Sequence, residues 1–105
     1  MRRAPEAPAP SLVTATHAVY RLAPDLLLVF KPRGHYEPPH AHPHYQRLRV
    51  LRGRLRVDSA RGAVVLTPYS RAYALAPGRS HATHALADTW LIAEAFERPP
   101  TRRRP

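Results

Sequence analysis

The residues of this chain best suited to chemistry lie between Gly34 and Gly53, in the stretch GHYEPPHAHPHYQRLRVLRG, which holds four of the seven histidines. Neutral imidazole nitrogens are ligands for divalent transition metals. Side chains alternate faces along an extended strand, so His40 and His42 point the same way and can chelate one ion. His44 shares that even-numbered face, which leaves His42 and His44 as a second pairing. Gln46 continues the face if the strand resumes its register after Pro43, and its amide oxygen is a further donor. Downstream, Pro77-Gly78-Arg79-Ser80-His81 offers another imidazole from a separate strand. Three imidazoles and an amide oxygen leave positions open on an ion that prefers five or six ligands. Clustered histidines can also form an exposed basic loop. Both flanking glycines and the downstream histidine argue for metal instead.

The elements that must position these side chains are strands. No segment longer than one turn has helical periodicity, and turn signals recur about every 8–12 residues, the spacing of a sandwich or small barrel. Residues 12–21 form a first strand, packing through Leu12, Val13, Val19 and Tyr20. Ala23-Pro24-Asp25 turns the chain. Residues 25–31 form a second strand, stopped by Pro32-Arg33-Gly34. Pro38, Pro39 and Pro43 exclude helix from the segment that follows.

In the next strand, 45–52, Gln46, Leu48 and Val50 alternate with Arg47, Arg49 and Leu51. After Arg52-Gly53, Leu55 and Val57 alternate with Arg54 and Arg56, which predicts a hairpin with its apolar face inward and its arginines outward. A short strand follows at 63–67. Arg71, Tyr73 and Leu75 alternate with alanines and are expected to face the core. Residues 81–86 are extended, and 90–97 form the last strand, with Trp90, Ile92, Glu94 and Phe96 on one face.

Bulk properties limit the function classes. A chain of 105 residues suits one domain, here 11–97, with flexible basic tails expected at 1–10 and 98–105. The longest apolar run, 26–30, is far too short to cross a membrane as a helix. Pro5, Pro8 and Pro10 stand where a secretory segment would be apolar. There is no cysteine, so disulfides and thiolate ligands are excluded and a cytoplasmic location is expected. The net charge of +10 comes from 17 Lys+Arg against 7 Asp+Glu, and Lys31 is the only lysine. Such charge raises nucleic acid as a partner, but no nucleic-acid motif accompanies it. Arginine-rich usage in a GC-rich genome accounts for it better.

The stretch resembles the first motif of the cupin superfamily: Gly34, His40, His42, a fourth ligand at Gln46, then Gly53. In this register the alternative pair, His42 and His44, would put Leu48 at the fourth ligand. Pro77-Gly78-Arg79-Ser80-His81 resembles the core of the second motif, with Ser70 in place of its opening Gly and Ala85 in place of its closing Asn. The resemblance implies an all-β double-stranded β-helix, a small jelly-roll barrel with a metal inside held by His40, His42, Gln46 and His81. Gln46 stands where Glu is usual, which removes one negative charge from the site. Some cupins similar to this chain, including small sugar-processing enzymes that open unsaturated uronates, use Gln among their ligands.

From this resemblance we expect a divalent transition metal (Zn, Ni, Mn, Fe or Cu) acting as a Lewis acid on a small sugar- or carboxylate-like substrate. Isomerase or lyase chemistry suits neutral ligands; dioxygenation requires a redox-active ion. The alternative is a non-catalytic module that holds a small ligand or metal. Glu94, if the Trp90 face is inward, is a carboxylate in an apolar cavity and a candidate general acid or base. Tyr73 could supply a hydroxyl to the same cavity. His35 and His44 are expected outside the ligand set, His84 is ambiguous and His17 structural. Members of the superfamily are commonly homodimers, and an apolar edge near residues 12–30 could provide the contact.

Overall fold

The computed structural model describes residues 17–96. The expected tails, the packing residues Leu12 and Val13, and the end of the last expected strand at Glu97 lie outside the described residues. Nine strands follow one another: β1 (Ala18–Ala23), β2 (Leu26–Lys31), β3 (Tyr36–His40), β4 (Tyr45–Arg52), β5 (Leu55–Ser59), β6 (Gly62–Leu66), β7 (Tyr73–Leu75), β8 (His81–Ala85) and β9 (Thr89–Phe96). The described residues contain no helix. One sheet has the order β1-β2-β9-β4-β7 and the other β3-β8-β5-β6, with every pairing antiparallel. The two sheets face each other as a jelly-roll barrel.

Alternation decides what fills the space between them. Leu48 and Val50 of β4, Leu55 and Val57 of β5, Leu75 of β7, and Leu91 and Ala93 of β9 form the core with Val29, Leu66 and Ala85. Leu55 and Val57 are wholly buried, and each contributes roughly 1.5–3 kcal/mol of hydrophobic stabilisation. Arg49, Arg54 and Arg56 point outward and are exposed, as the alternation predicts. Arg71, expected to face the core, is instead exposed and precedes β7. The inward set on that strand is Leu75 with half-buried Tyr73.

The expected hairpin between β4 and β5 is not formed. Both edges of β4 are occupied, by β9 and β7, so the chain crosses at Arg52-Gly53 into the opposite sheet. Gly53 has φ +98°, and a Cβ there would overlap the backbone carbonyl oxygen of Asp88. Only glycine fits that approach without strain. Thr89 fastens the crossing from the other side: its hydroxyl donates to Arg54 O and accepts from Arg54 N, both at 3.1 Å. Among the described residues, no helix is long and apolar enough to cross a membrane.

Candidate metal centre

β3 and β8 bring the first two imidazoles together. His40 lies opposite His81 in the ladder, and Glu37 lies opposite Thr83. Between these two pairings β3 carries one residue more than β8, a bulge at Pro38-Pro39, where neither residue has an N–H to give the ladder. Without that bulge, residues three apart would point to opposite faces. With it, Glu37 and His40 both meet the buried, inward side chains of β8, His81 and Thr83.

His42 is placed differently from the sequence expectation. β3 ends at His40, so His42 sits in the following loop rather than on a strand. Gly78 N donates to His42 O at 2.9 Å, which ties that loop to the Pro77-Gly78 turn ahead of His81. Gln46 begins the inward row of β4 with Leu48 and Val50. It lines the same cavity of about 150 Å³ as His40, His42 and His81.

The candidate ligand atoms of His40, His42 and His81 lie within 4.8 Å of one another. Ring centroids stand 4.4 Å apart for His40 and His81, 4.9 Å for His40 and His42, and 5.4 Å for His42 and His81. His40 Nδ1 is 2.9 Å from the Pro38 carbonyl, which can only accept a hydrogen bond. An Nδ1–H donated to that carbonyl leaves Nε2 as the nitrogen for a metal, the division found in metal-bound histidines. Burial, and then the neighbouring imidazole of His40, push His42 and His81 below the usual imidazole value. Both effects favour the neutral, ligating form. The donor set thus fits a divalent transition ion.

A second polar group occupies the same cavity. Lys31, at the end of β2, crosses from one sheet to the other. Its Nζ donates to Glu37 Oε1 at 2.8 Å and to Thr83 Oγ1 at 3.1 Å, and Thr83 donates to Glu37 Oε1 at 3.2 Å. Lys31 is 6% exposed, unusual for a lysine. Burial alone would raise the Glu37 carboxyl, but the charge and hydrogen bond of Lys31 outweigh it, with help from His40 and Thr83, and hold Glu37 at about 2. Sequence reasoning did not single out these three residues. The sole lysine, on the inward parity of Leu27 and Val29, was a legible signal. Glu37 was not, because the bulge sets its direction.

The remaining candidates lie elsewhere. The inward face of β9 is Thr89, Leu91 and Ala93, not the Trp90 face. Glu94 therefore points away from the barrel interior, where it accepts a 2.8 Å hydrogen bond from Arg47 Nε. β2 and β4 flank β9 in register, and that register turns Leu91 and Ala93 toward the core. Tyr73 does not line the histidine cavity; its hydroxyl is 3.3 Å from Ser59 Oγ, and Arg61 stacks over its ring at 4.5 Å. His44 stacks beside His42 at 5.3 Å and lines a neighbouring cavity. His84 lies on the outward row of β8 against Tyr36. His35 is buried at 2% exposure and lies outside the histidine cluster, with His17 against its ring.

No protein-family profile matches the sequence, and no curated protein matches it. Solved structures do. KdgF from Halomonas sp. is 26% identical over 80% of this chain and 79% of its own, with a TM-score of 0.63. A cupin-like protein from Thermotoga maritima is 21% identical over 80% of this chain and 71% of its own, with a TM-score of 0.71. YcfD, a ribosomal oxygenase from Escherichia coli, is 23% identical over 73% of this chain but only 24% of its own, with a TM-score of 0.64. A structure of YcfD has also been solved in complex with cobalt and succinic acid.

Proposed function

We propose that the chain, whose fold is that of cupin structures, is a member of the cupin superfamily that binds a divalent transition metal and acts with it on a small, polar, sugar- or carboxylate-like substrate. The observation that carries this reading is the convergence of His40 and His42 from one segment and His81 from another, distant in the chain, to within 4.8 Å. Gln46 would complete the donor set. Zn, Ni, Mn, Fe and Cu all suit it. Bound there, the ion supplies Lewis acidity toward a carbonyl, carboxylate or hydroxyl oxygen. Every donor is neutral, so no ligating carboxylate offsets the ion's charge, and the site favours an electron-rich oxygen.

The size of the cavity restricts what enters. The cavity beside the histidines, about 150 Å³, suits the reacting end of a small substrate. Two wider cavities adjoin it, one of about 640 Å³ sharing His81 and one of about 580 Å³ sharing Gln46. Either could take the rest of a larger molecule. Isomerisation, ring opening or elimination is the chemistry this reading expects.

Elemental analysis of protein purified without added metal tests the reading. Wild type should carry close to one equivalent of metal and the His40→Ala/His42→Ala variant almost none. Negligible metal in wild type, or equal metal in both, would overturn it. A panel of sugars and keto acids then separates turnover from mere retention: saturable binding without product marks a ligand-holding module. We extend this to a homodimer formed through β1, an edge strand whose Tyr20 and Leu22 are 50% and 55% exposed. Sedimentation should give a dimer for wild type and a monomer for Tyr20→Lys/Leu22→Lys.

A further inference from the structure

We infer that Lys31 is a second anchor in the cavity, donating to an anionic oxygen of a ligand whose other end meets the histidine cluster, so that the site selects short oxyanions such as 2-hydroxycarboxylates. This rests on the metal reading above. The first support is donor counting. An ammonium has three protons. Lys31 gives two, to Glu37 Oε1 and Thr83 Oγ1, and the third has no acceptor among the described residues. Lys31 nevertheless lines the cavity shared by His40, His42, Gln46 and His81. A buried ammonium with a proton to spare favours an oxygen in that space.

The second support is spacing. Thr83, which holds Lys31, stands two residues from His81 on β8, and on β3 Glu37 and His40 span the same interval with three residues because of the bulge. Two residues of strand span roughly 6.8 Å. A bridging ligand therefore needs only a few atoms, in keeping with the cavity volume of about 150 Å³. The third support is charge. Lys31 and Glu37 cancel, and His40, His42, Gln46 and His81 contribute no negative charge as neutral ligands. A divalent ion there meets no compensating protein charge, and an entering anion supplies it. Glu37 and Thr83 then act as positioning residues. They fix the direction of the ammonium, while Glu37, held at about 2, stays ionised at neutral pH and keeps its partner in place.

The bland rival is that Lys31 and Glu37 only tie the two sheets together. Calorimetry on zinc-loaded protein with lactate and its uncharged analogue lactamide separates the two. Wild type should prefer lactate. The Lys31→Met/Glu37→Gln variant, which leaves no unpaired charge, should bind the same amount of zinc yet lose about ten- to a hundredfold of that preference. Unchanged preference at full zinc content would overturn the inference while leaving the metal reading standing. So would wild type that holds zinc but does not distinguish the two probes. Wild type that takes up no zinc would sink both. Because Lys31 is the only lysine, ¹⁵N-lysine labelling gives one ammonium signal, and no variant need fold for that measurement. In zinc-loaded wild type the signal should move with lactate and stay put with lactamide; an immobile signal at saturating lactate refutes the contact.

Discussion

Glu37 and Glu94 each accept a 2.8 Å hydrogen bond from a basic side chain, yet the two pairs sit on opposite sides of the barrel wall. Lys31 is 7% exposed in its side chain and points into the cavity; Glu37, at 35%, closes over it. Arg47 and Glu94 are 35% and 31% exposed and lie on the outer surface, where Arg47 also rests over the ring of Phe96 at 5.0 Å. Equal distances thus conceal unequal energetics. Outside, water can replace either partner, and the pair contributes about 0–1 kcal/mol. Inside, removing Glu37 strands the Lys31 ammonium in a poorly solvated space, while Glu37 itself keeps some contact with water. The difference teaches that an ion pair's role depends on which face of the strand carries it, and less on its length.

The harshest way to break this comparison is to remove each cation in turn. Lys31→Met should destabilise the fold by about 2–3 kcal/mol, below the range for wholly buried pairs because Glu37 keeps some contact with water. For a domain of this size that lowers the melting temperature by about 10–20 °C. Arg47→Met should cost less than about 1 kcal/mol. Matched urea titrations of the two variants measure the gap, and equal midpoints would erase the distinction.

Acid should sharpen the comparison less forcefully. Glu37 is held at about 2 in the folded chain, against an ordinary carboxyl value of 4.5. A carboxyl whose folded value is depressed contributes stability in full above the unfolded value. That contribution fades as pH falls from about 4.5 toward 2. After allowing for the partial exposure of Glu37, the effect is about 1–2 kcal/mol. With chelator present, wild type should exceed Glu37→Gln in urea midpoint at pH 7, and the excess should shrink by about half at pH 3. An excess that does not change with pH would show that Glu37 acts through packing and not through charge.

The same pair of carboxylates marks how far the sequence is legible. Strand positions, turns and the inward rows of β4 and β5 follow from period-two alternation, which is local. The choice of His40 and His42 over His42 and His44 comes from the motif resemblance, since alternation offers both pairs and His42 lies beyond the end of β3. Glu94 was placed inward because Trp90, Ile92 and Phe96 are the larger apolar residues on β9. The structure turns Thr89, Leu91 and Ala93 inward instead, leaving Trp90 stacked with Tyr20 and tilted against Phe30 on the outer surface. Which row of an amphipathic strand meets the core is a tertiary choice when both rows are apolar. Glu37 was passed over for the opposite reason: one extra residue at Pro38-Pro39 reverses its direction, and nothing in the local pattern announces it. Crossing from β4 to β5 at Gly53, where a hairpin was expected, is likewise invisible without knowing that β7 and β9 already occupy both edges of β4.

The smallest effect expected is also the one that tests the placement of Glu94 most directly. Glu94→Gln removes a carboxylate from the outer surface but keeps its shape and one acceptor oxygen, so Arg47 retains a partner. Stability should change by less than about 0.5 kcal/mol. Metal content and lactate affinity should stay within about twofold of wild type, since Glu94 lies outside the histidine cavity. One route could defeat this: Glu94 and Gln46 both border the neighbouring cavity of about 580 Å³, and a substrate entering there would pass the carboxylate. A fall in turnover with unchanged metal and unchanged lactate affinity would reveal that path. It would return Glu94 to the reaction from the rim of the barrel, not from its interior.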